Sequence, residues 1–300
     1  MSSDLHRLQT LRELSECNSM TETARILGLT TPAVSQQIKV LELEYGTELV
    51  QRRGRGIELT LAGRILNEYA ARILDIRAQA FSELAALKGA TFGTVRVTSI
   101  TSVAAALLPR TISLMKARYP HLSVVVDTES AAEGLEGLRH YRQDVALMHD
   151  FSSKLDLGNK MVSEFLIEDE IYVAVPSGHR LADNRCVELV ELADEDWIVA
   201  KTSPLFHGAV LDMCQQRGFE PNIAASSDNT SFVFSLVEAG CGISVVPGLA
   251  AHSIPKGIRK LKLEPAIKRR VFTTYRMSDQ SNPLIRAFLD TLKEVSSGVI

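Results

Sequence analysis

The sequence predicts an α plus α/β protein: an N-terminal winged helix-turn-helix, a long helix, and a two-lobed α/β domain. Three observations carry this reading. Residues 1–60 read as short helices joined by tight turns; residues 61–88 hold no proline and no glycine except Gly63; beyond about residue 92, strand-type and helix-type runs alternate. The 300 residues suit a small domain beside a larger one, and 45% apolar content supplies an ordinary globular core.

Residues 19–46 are the most informative stretch. Ser19 followed three residues later by Glu22 is a capping-box pattern that starts a helix running through Leu27. Gly28 supplies the permissive turn, and Thr31-Pro32 starts a second helix. At about 100° per residue, Val34, Ile38 and Leu41 share the face that anchors this helix. Pro32, Ala33, Gln36 and Lys39 point the other way, with Ser35 at the edge and Val40 partly outward. Small residues at the helix start allow approach to a major groove. Gln36 has the donor–acceptor pair that fits an adenine edge. Ser35, Thr30 and Thr31 can reach phosphate or base, and Lys39 can neutralise a phosphate. The alternative is a two-helix corner with an ordinary polar face.

Residues 46–60 read as a loop and a β-hairpin. Arg52, Arg53 and Arg55 crowd around Gly54 and Gly56, a basic tip suited to a phosphate backbone or minor groove. Residues 1–90 hold 11 Lys/Arg against 11 Asp/Glu, and the whole chain carries −3, so a polyanion must be gripped by local placement.

Leu61, Ile65, Tyr69, Ile73, Ile76, Ala80, Leu84 and Leu87 step by three and four along one stripe. A helix over 61–88 is about 40 Å long at 1.5 Å per residue. It overreaches a small domain, so a twin helix in a homodimer is the expected cover, against burial within its own chain.

The strand-type runs 94–99, 122–129, 144–149, 170–176, 196–201, 242–247 and 271–276 alternate with helical stretches 102–119, 133–142, 206–217, 230–240 and 283–296. That alternation implies a mostly parallel sheet covered by helices, and about 210 residues suit two lobes. Ligands of open α/β sheets bind where strands end and helices begin. The first strand ends at Thr98–Ser102, and the second lobe repeats the arrangement at Lys201–Pro204. The candidate ligand residues are therefore Ser99, Thr101, Ser102, Thr202 and Ser203. Thr128, His149 and Asn229 lie at other strand ends. Hydroxyls and free N–H groups at two helix starts suit a small carboxylate or similar anion.

Other classes are poorly served. The chain lacks G-x-S-x-G, G-x-x-x-x-G-K, H-E-x-x-H and G-x-G-x-x-G after a strand, so no enzyme motif is present and no cofactor is expected. Cys17, Cys186, Cys214 and Cys241 have no metal-ligand spacing and read as small apolar residues, with a redox-sensing pair as the alternative. No 18-residue apolar run and no apolar leader appear, so a cytoplasmic protein without a membrane partner is expected.

From Thr21 to Gly63 the sequence resembles the winged helix-turn-helix of LysR-type transcriptional regulators. The matching pattern is A-x-x-L-G-L-T-x-x-A-V-S-x-x-I-x-x-L-E, then G-T-x-L, R-R and T-x-A-G at Thr60, Ala62 and Gly63. Val50 departs where the family usually has phenylalanine, and Val40 where a basic residue is frequent. The remainder is similar to the family's effector module, itself similar to type II periplasmic binding proteins, through G-T-V-R-V (93–97), L-L-P (107–109), R-Y-P (118–120), D-V-A-L (144–147) and V-E-A-G-C-G-I-S-V-V-P (237–247). The resemblance implies a DNA-binding domain over 1–60 (helix-turn-helix about 20–42, wing about 50–58) and a dimerisation helix over 61–90. It implies lobe I from 91–163 with 269–300 and lobe II from 164–268, joined by two crossover strands with the ligand in the cleft. It further implies a homodimer pairing into a homotetramer on double-stranded DNA with an imperfect inverted repeat, with a small-molecule effector and RNA polymerase as partners. A solute-binding or redox-sensing regulator without a small-molecule effector is the alternative.

Overall fold

The computed structural model describes residues 2–53, 56–87, 93–151, 157–158, 160–201, 204–227 and 229–298. The chain forms two compact units, 1–88 and 89–300.

In the N-terminal unit, α1 (Ser2–Cys17), α2 (Met20–Leu27) and α3 (Thr31–Tyr45) precede a hairpin of β1 (Val50–Arg53) and β2 (Gly56–Leu59), then α4 (Leu61–Leu87). Its core joins Leu8, Leu11 and Leu14 of α1 to Ile38, Leu41, Leu49, Leu59, Leu66 and Ala70. Thr60 starts α4: its hydroxyl accepts the Gly63 N–H at 3.0 Å and donates to the Glu48 carbonyl at 2.7 Å. Gly63 itself lies so close to the Leu49 carbonyl that a Cβ would stand 2.0 Å from that oxygen. The T-x-A-G run is thus a clasp between α4 and the chain leading into the wing.

In the C-terminal unit an eight-stranded sheet runs β4–β3–β5–β12–β6–β11–β7, with β10 also paired to β6. The strands are β3 (Gly93–Ser99), β4 (Leu122–Thr128), β5 (Val145–Asp150), β6 (Met161–Pro176), β7 (Cys186–Glu188), β10 (Ser244–Pro247), β11 (Ile258–Glu264) and β12 (Lys268–Arg276). A separate parallel pair is β8 (Asp196–Ala200) with β9 (Asn222–Ser227). The helices are α5 (Thr101–Arg118), α6 (Ala131–Arg139), α7 (Pro204–Gln216), α8 (Thr230–Glu238) and α9 (Pro283–Ser297).

The sheet is mixed rather than mostly parallel. β3 pairs in parallel with β4 and β5, but β12 runs antiparallel to β5 and β6, and β6 antiparallel to β10 and β11. The chain crosses between lobes once outward on β6 and once back on β12, which lays two long antiparallel strands through the middle. β6 pairs with β12 as far as Glu170 and with β10 and β11 from Ile171 onward. β6 thus runs unbroken through the boundary expected at 163/164. The strand is also longer than its apolar portion at 170–176 suggests, because acidic residues interrupt the first half. Those acids are paired: Glu164 with Arg286 and Lys293, Glu168 with Lys268, Asp169 with Arg269. Lobe I has its own core around Val97, Leu107, Tyr275, Phe288 and Leu292. Lobe II is packed on both sheet faces, around Val173, Trp197 and Leu261 on one and Ala174, Val233 and Val237 on the other.

Candidate DNA-binding face and effector cleft

The helix-turn-helix is built from local signals. The Ser19 hydroxyl caps α2 by accepting the Glu22 N–H at 3.3 Å. The Glu22 carboxylate turns to Arg25 instead of reaching back, so only half of the capping box forms. Gly28 ends α2 with φ +65°, the left-handed region where L side chains are strained, and donates its N–H to the carbonyls of Ala24 and Arg25. Thr30 caps α3, accepting the Ala33 N–H at 3.4 Å.

Along α3, Val34, Ile38 and Leu41 are buried. Thr31, Pro32, Gln36 and Lys39 are exposed, with Ala33, Ser35 and Val40 half-buried. Two polar residues on this helix face inward. The Gln37 side-chain oxygen accepts the Thr10 hydroxyl at 2.6 Å. The Glu42 carboxylate accepts the N–H groups of Leu49 at 2.9 Å and Val50 at 3.3 Å, which seats the first wing strand on α3. In the wing Arg52 is exposed opposite Ile57. The backbone of Arg53 pairs with Gly56, while its side chain, like all of Arg55, lies outside the described residues.

Helix α4 carries two apolar faces. Leu66, Ala70 and Leu74 are buried, the first two in the N-terminal core. Leu61, Ile65, Tyr69, Ile73, Ile76 and Leu84 are 38–69% exposed, and Ala80 is exposed beside them. The Leu87 side chain lies outside the described residues.

In the C-terminal unit a cavity of about 300 Å³ opens between the first turns of α5 and α8 and the strand β10. Thr101 and Ser102 line it from α5, whose start has Ile100 at the cap position and no side-chain cap. Most of the remaining wall is apolar, including Ala105, Phe206, Val245 and Ala250. Other proposed residues stand elsewhere. Ser99 is buried and donates to the Ile100 carbonyl at 3.1 Å. The next residues turn from strand to helix, so Ser102 and not Ser99 reaches the cavity. Thr128 is exposed at the end of edge strand β4. Asn229 caps α8 by accepting the Phe232 N–H at 3.1 Å, and its neighbours Thr230 and Ser231 line the cavity instead. Thr202 and Ser203 lie outside the described residues.

His149 sits behind the wall, fully buried, with its ring edge-on to Phe151 and Phe206. Burial, reinforced by Arg269, pushes its pKa down to about 3, so it is neutral at physiological pH. An unfolded histidine takes a proton near 6.5, so the folded unit loses stability as pH falls below that value toward 3. Between pH 6.5 and 5 this amounts to about 2 kcal/mol at 1.36 kcal/mol per unit. Denaturant titrations at the two pH values should show this loss in the wild type and a flattened dependence in His149→Gln.

The residue that the sequence reading missed is Arg269. Its side chain is 2% exposed yet lines the cavity, placed there by β12. Nε donates to Oδ2 of Asp169 at 2.8 Å, and Nη2 donates to Ser102 Oγ at 2.6 Å and stands 2.7 Å from the same Asp169 oxygen. Asp169 lies directly opposite on β6 and accepts the Leu249 N–H at 2.9 Å through Oδ1. Burial pulls the guanidinium pKa down, and Asp169 opposes that shift. The two-residue strand period was the available signal: Arg269 shares its parity with Val271, Thr273 and Tyr275, all buried. Set between Lys268 and Arg270, it reads as one of a run of surface charges.

Three of the four thiols are held away from the reactive thiolate form. Burial pushes Cys17 and Cys214 up to about 11, and a hydrogen bond to Glu264 raises Cys186, whereas reactive cysteines need the thiolate. Among the described residues no helix is long and apolar enough to cross a membrane.

Residues 5–64 match the bacterial regulatory helix-turn-helix protein, lysR family, and residues 88–297 match the LysR substrate binding domain. The transcriptional dual regulator GltC of Bacillus subtilis is 28% identical over 273 residues, covering 89% of each chain. A full-length OxyR variant from Pseudomonas aeruginosa has the same fold, with TM-score 0.71, 21% identity, and coverage of 97% of this chain and 95% of that one. Full-length CbnR, solved with its target DNA, has TM-score 0.56, 23% identity, and coverage of 97% and 99%. Taken with a capped helix-turn-helix in one unit and a lined cleft in the other, these matches make the chain a member of the LysR family, a transcriptional regulator with a DNA-binding helix-turn-helix and an effector-binding domain.

Proposed function

We propose that α3 reads the major groove while Arg52 and the neighbouring wing arginines hold the phosphate backbone, and that a small anion in the cleft between the lobes modulates this binding. One observation carries the DNA reading: α3 is anchored by three buried apolar side chains while Thr31, Pro32, Gln36 and Lys39 stand exposed beside an exposed wing arginine. A helix anchored this way can present side chains to base edges without losing its place in the fold. The apolar stripe on α4 supports a homodimer, which presents two such helices at once and can pair further into a tetramer. The protein then acts by binding and not by turnover, in the compartment that holds the chromosome, on promoters it shares with RNA polymerase.

The test is fluorescence anisotropy of the full-length protein on an operator duplex across a salt series. Arg52→Ala should weaken binding to specific and unrelated duplexes alike and reduce the salt slope by about 1 per protomer. Gln36→Ala should instead weaken the specific duplex selectively. An unchanged slope in Arg52→Ala would remove the wing from the interface.

A further inference from the structure

We propose that the cleft takes a small monocarboxylic acid with an apolar body, its carboxylate received by Nη1 of Arg269. This rests on the cleft reading above and narrows it to a ligand class.

Among the described residues Arg269 is the one cation lining the cavity, and it is almost wholly buried. Asp169 and Ser102 occupy its Nε and Nη2 hydrogens. Its Nη1 edge makes no hydrogen bond to the described residues, and a guanidinium offers five donors in a fixed fork. Nearby, α5 begins without a side-chain cap, leaving Thr101 and Ser102 with hydroxyls and N–H groups at a positive helix end. These groups together suit one carboxylate.

Among the described residues lining the cavity, a second anionic group meets no second cation. His149 is neutral, and Asn229 already caps the N-terminus of α8. The walls formed by Ile100, Ala105, Phe206, Val245 and Val246 are apolar. Burying an unpaired charge against such a wall is costly, whereas an alkyl or aryl body gains by leaving water. A volume of about 300 Å³ is at the small end for ligand pockets, so the body is small.

The same arginine ties binding to lobe arrangement. Arg269 and Asp169 are cross-strand partners on the two crossover strands. Asp169 holds the turn after β10, and Ser102 opens α5. A carboxylate on Nη1 completes a set of hydrogen bonds that already touches both lobes.

The experiment is calorimetric titration of the full-length protein with benzoate, hexanoate, benzamide, succinate and inorganic phosphate, repeated with Ala105→Trp and Ser102→Ala. Ala105 is exposed on the cavity wall, so the indole fills the space without disturbing the ion pair. Benzoate or hexanoate should bind at least about tenfold tighter than benzamide, the difference a charge-assisted hydrogen bond makes. That binding should weaken in Ser102→Ala and vanish in Ala105→Trp. Benzamide equal to benzoate, succinate or phosphate tighter than the monoacids, or no binding by either monoacid overturns the ligand class. Succinate or phosphate binding that Ala105→Trp abolishes would overturn the class and leave the cleft standing. Monoacid binding that survives Ala105→Trp would overturn the cleft reading itself.

Discussion

Asp169→Ala destabilises the C-terminal unit by about 3–5 kcal/mol, the usual cost of removing one partner of a buried ion pair. The side chains of Arg269 and Asp169 are 2% and 3% exposed, so the guanidinium left behind can recover little hydration. The Leu249 N–H loses its acceptor at the same time. For a unit of about 210 residues the melting temperature should fall by roughly 6–20 °C. The double variant Asp169→Asn, Arg269→Gln removes both charges while keeping polar groups of similar size. It should melt closer to the wild type, because no uncompensated charge remains buried. A single variant that melts like the wild type would mean that water reaches the arginine, and the pair would then be a surface feature of the cleft.

Gly63→Ala should cost the N-terminal unit about 3 kcal/mol and remove operator binding. The added Cβ would meet the Leu49 carbonyl oxygen at 2.0 Å, the Leu49 carbonyl carbon at 3.0 Å and Leu59 Cβ at 3.2 Å. None of these is the far end of a flexible side chain. The Leu49 carbonyl also accepts the Thr60 N–H at 3.0 Å, so it cannot retreat without opening the clasp that starts α4. The wing begins at the next residue and is the part that moves. Thermal melting of the full chain together with anisotropy on the operator reads both effects. Wild-type melting and binding would show that the α4 start shifts freely and that the close approach has no structural role.

What the sequence made legible followed from how local each feature is. Ser19, Gly28, Thr30 and the 34/38/41 spacing lie within a few residues of what they control, so the helix-turn-helix could be read almost residue by residue. The stripe on α4 was equally visible, since its exposure follows from a single period. Its second apolar face, Leu66–Ala70–Leu74, was not separated out because both faces share the same helix. The cleft was legible only as a neighbourhood. Strand ends and helix starts pointed to 98–102, to 201–204 and to Asn229, and Ile100, Thr101, Ser102, Thr230 and Ser231 line the cavity, yet whether Ser99 or Ser102 faces inward depends on where the strand turns into helix. Arg269 and Asp169 stand 100 residues apart, and their pairing exists only through the register of β6 against β12. Strand β11 escaped notice because its exposed positions carry charged residues and leave no uninterrupted apolar run, and β9 because its apolar part is only Ile223, Ala224 and Ala225.

The most direct measurement of the central claim is selection of binding sites from a pool of random duplexes by the full-length protein, with Gln36→Ala run in parallel. The account predicts an imperfect inverted repeat for the wild type, its half-sites about one helical turn or a multiple apart. Gln36→Ala should relax the preference at an adenine in each half-site and leave the spacing unchanged. Random sequences after repeated rounds, or an unaltered preference in Gln36→Ala, would contradict the assignment of α3 as the reading element.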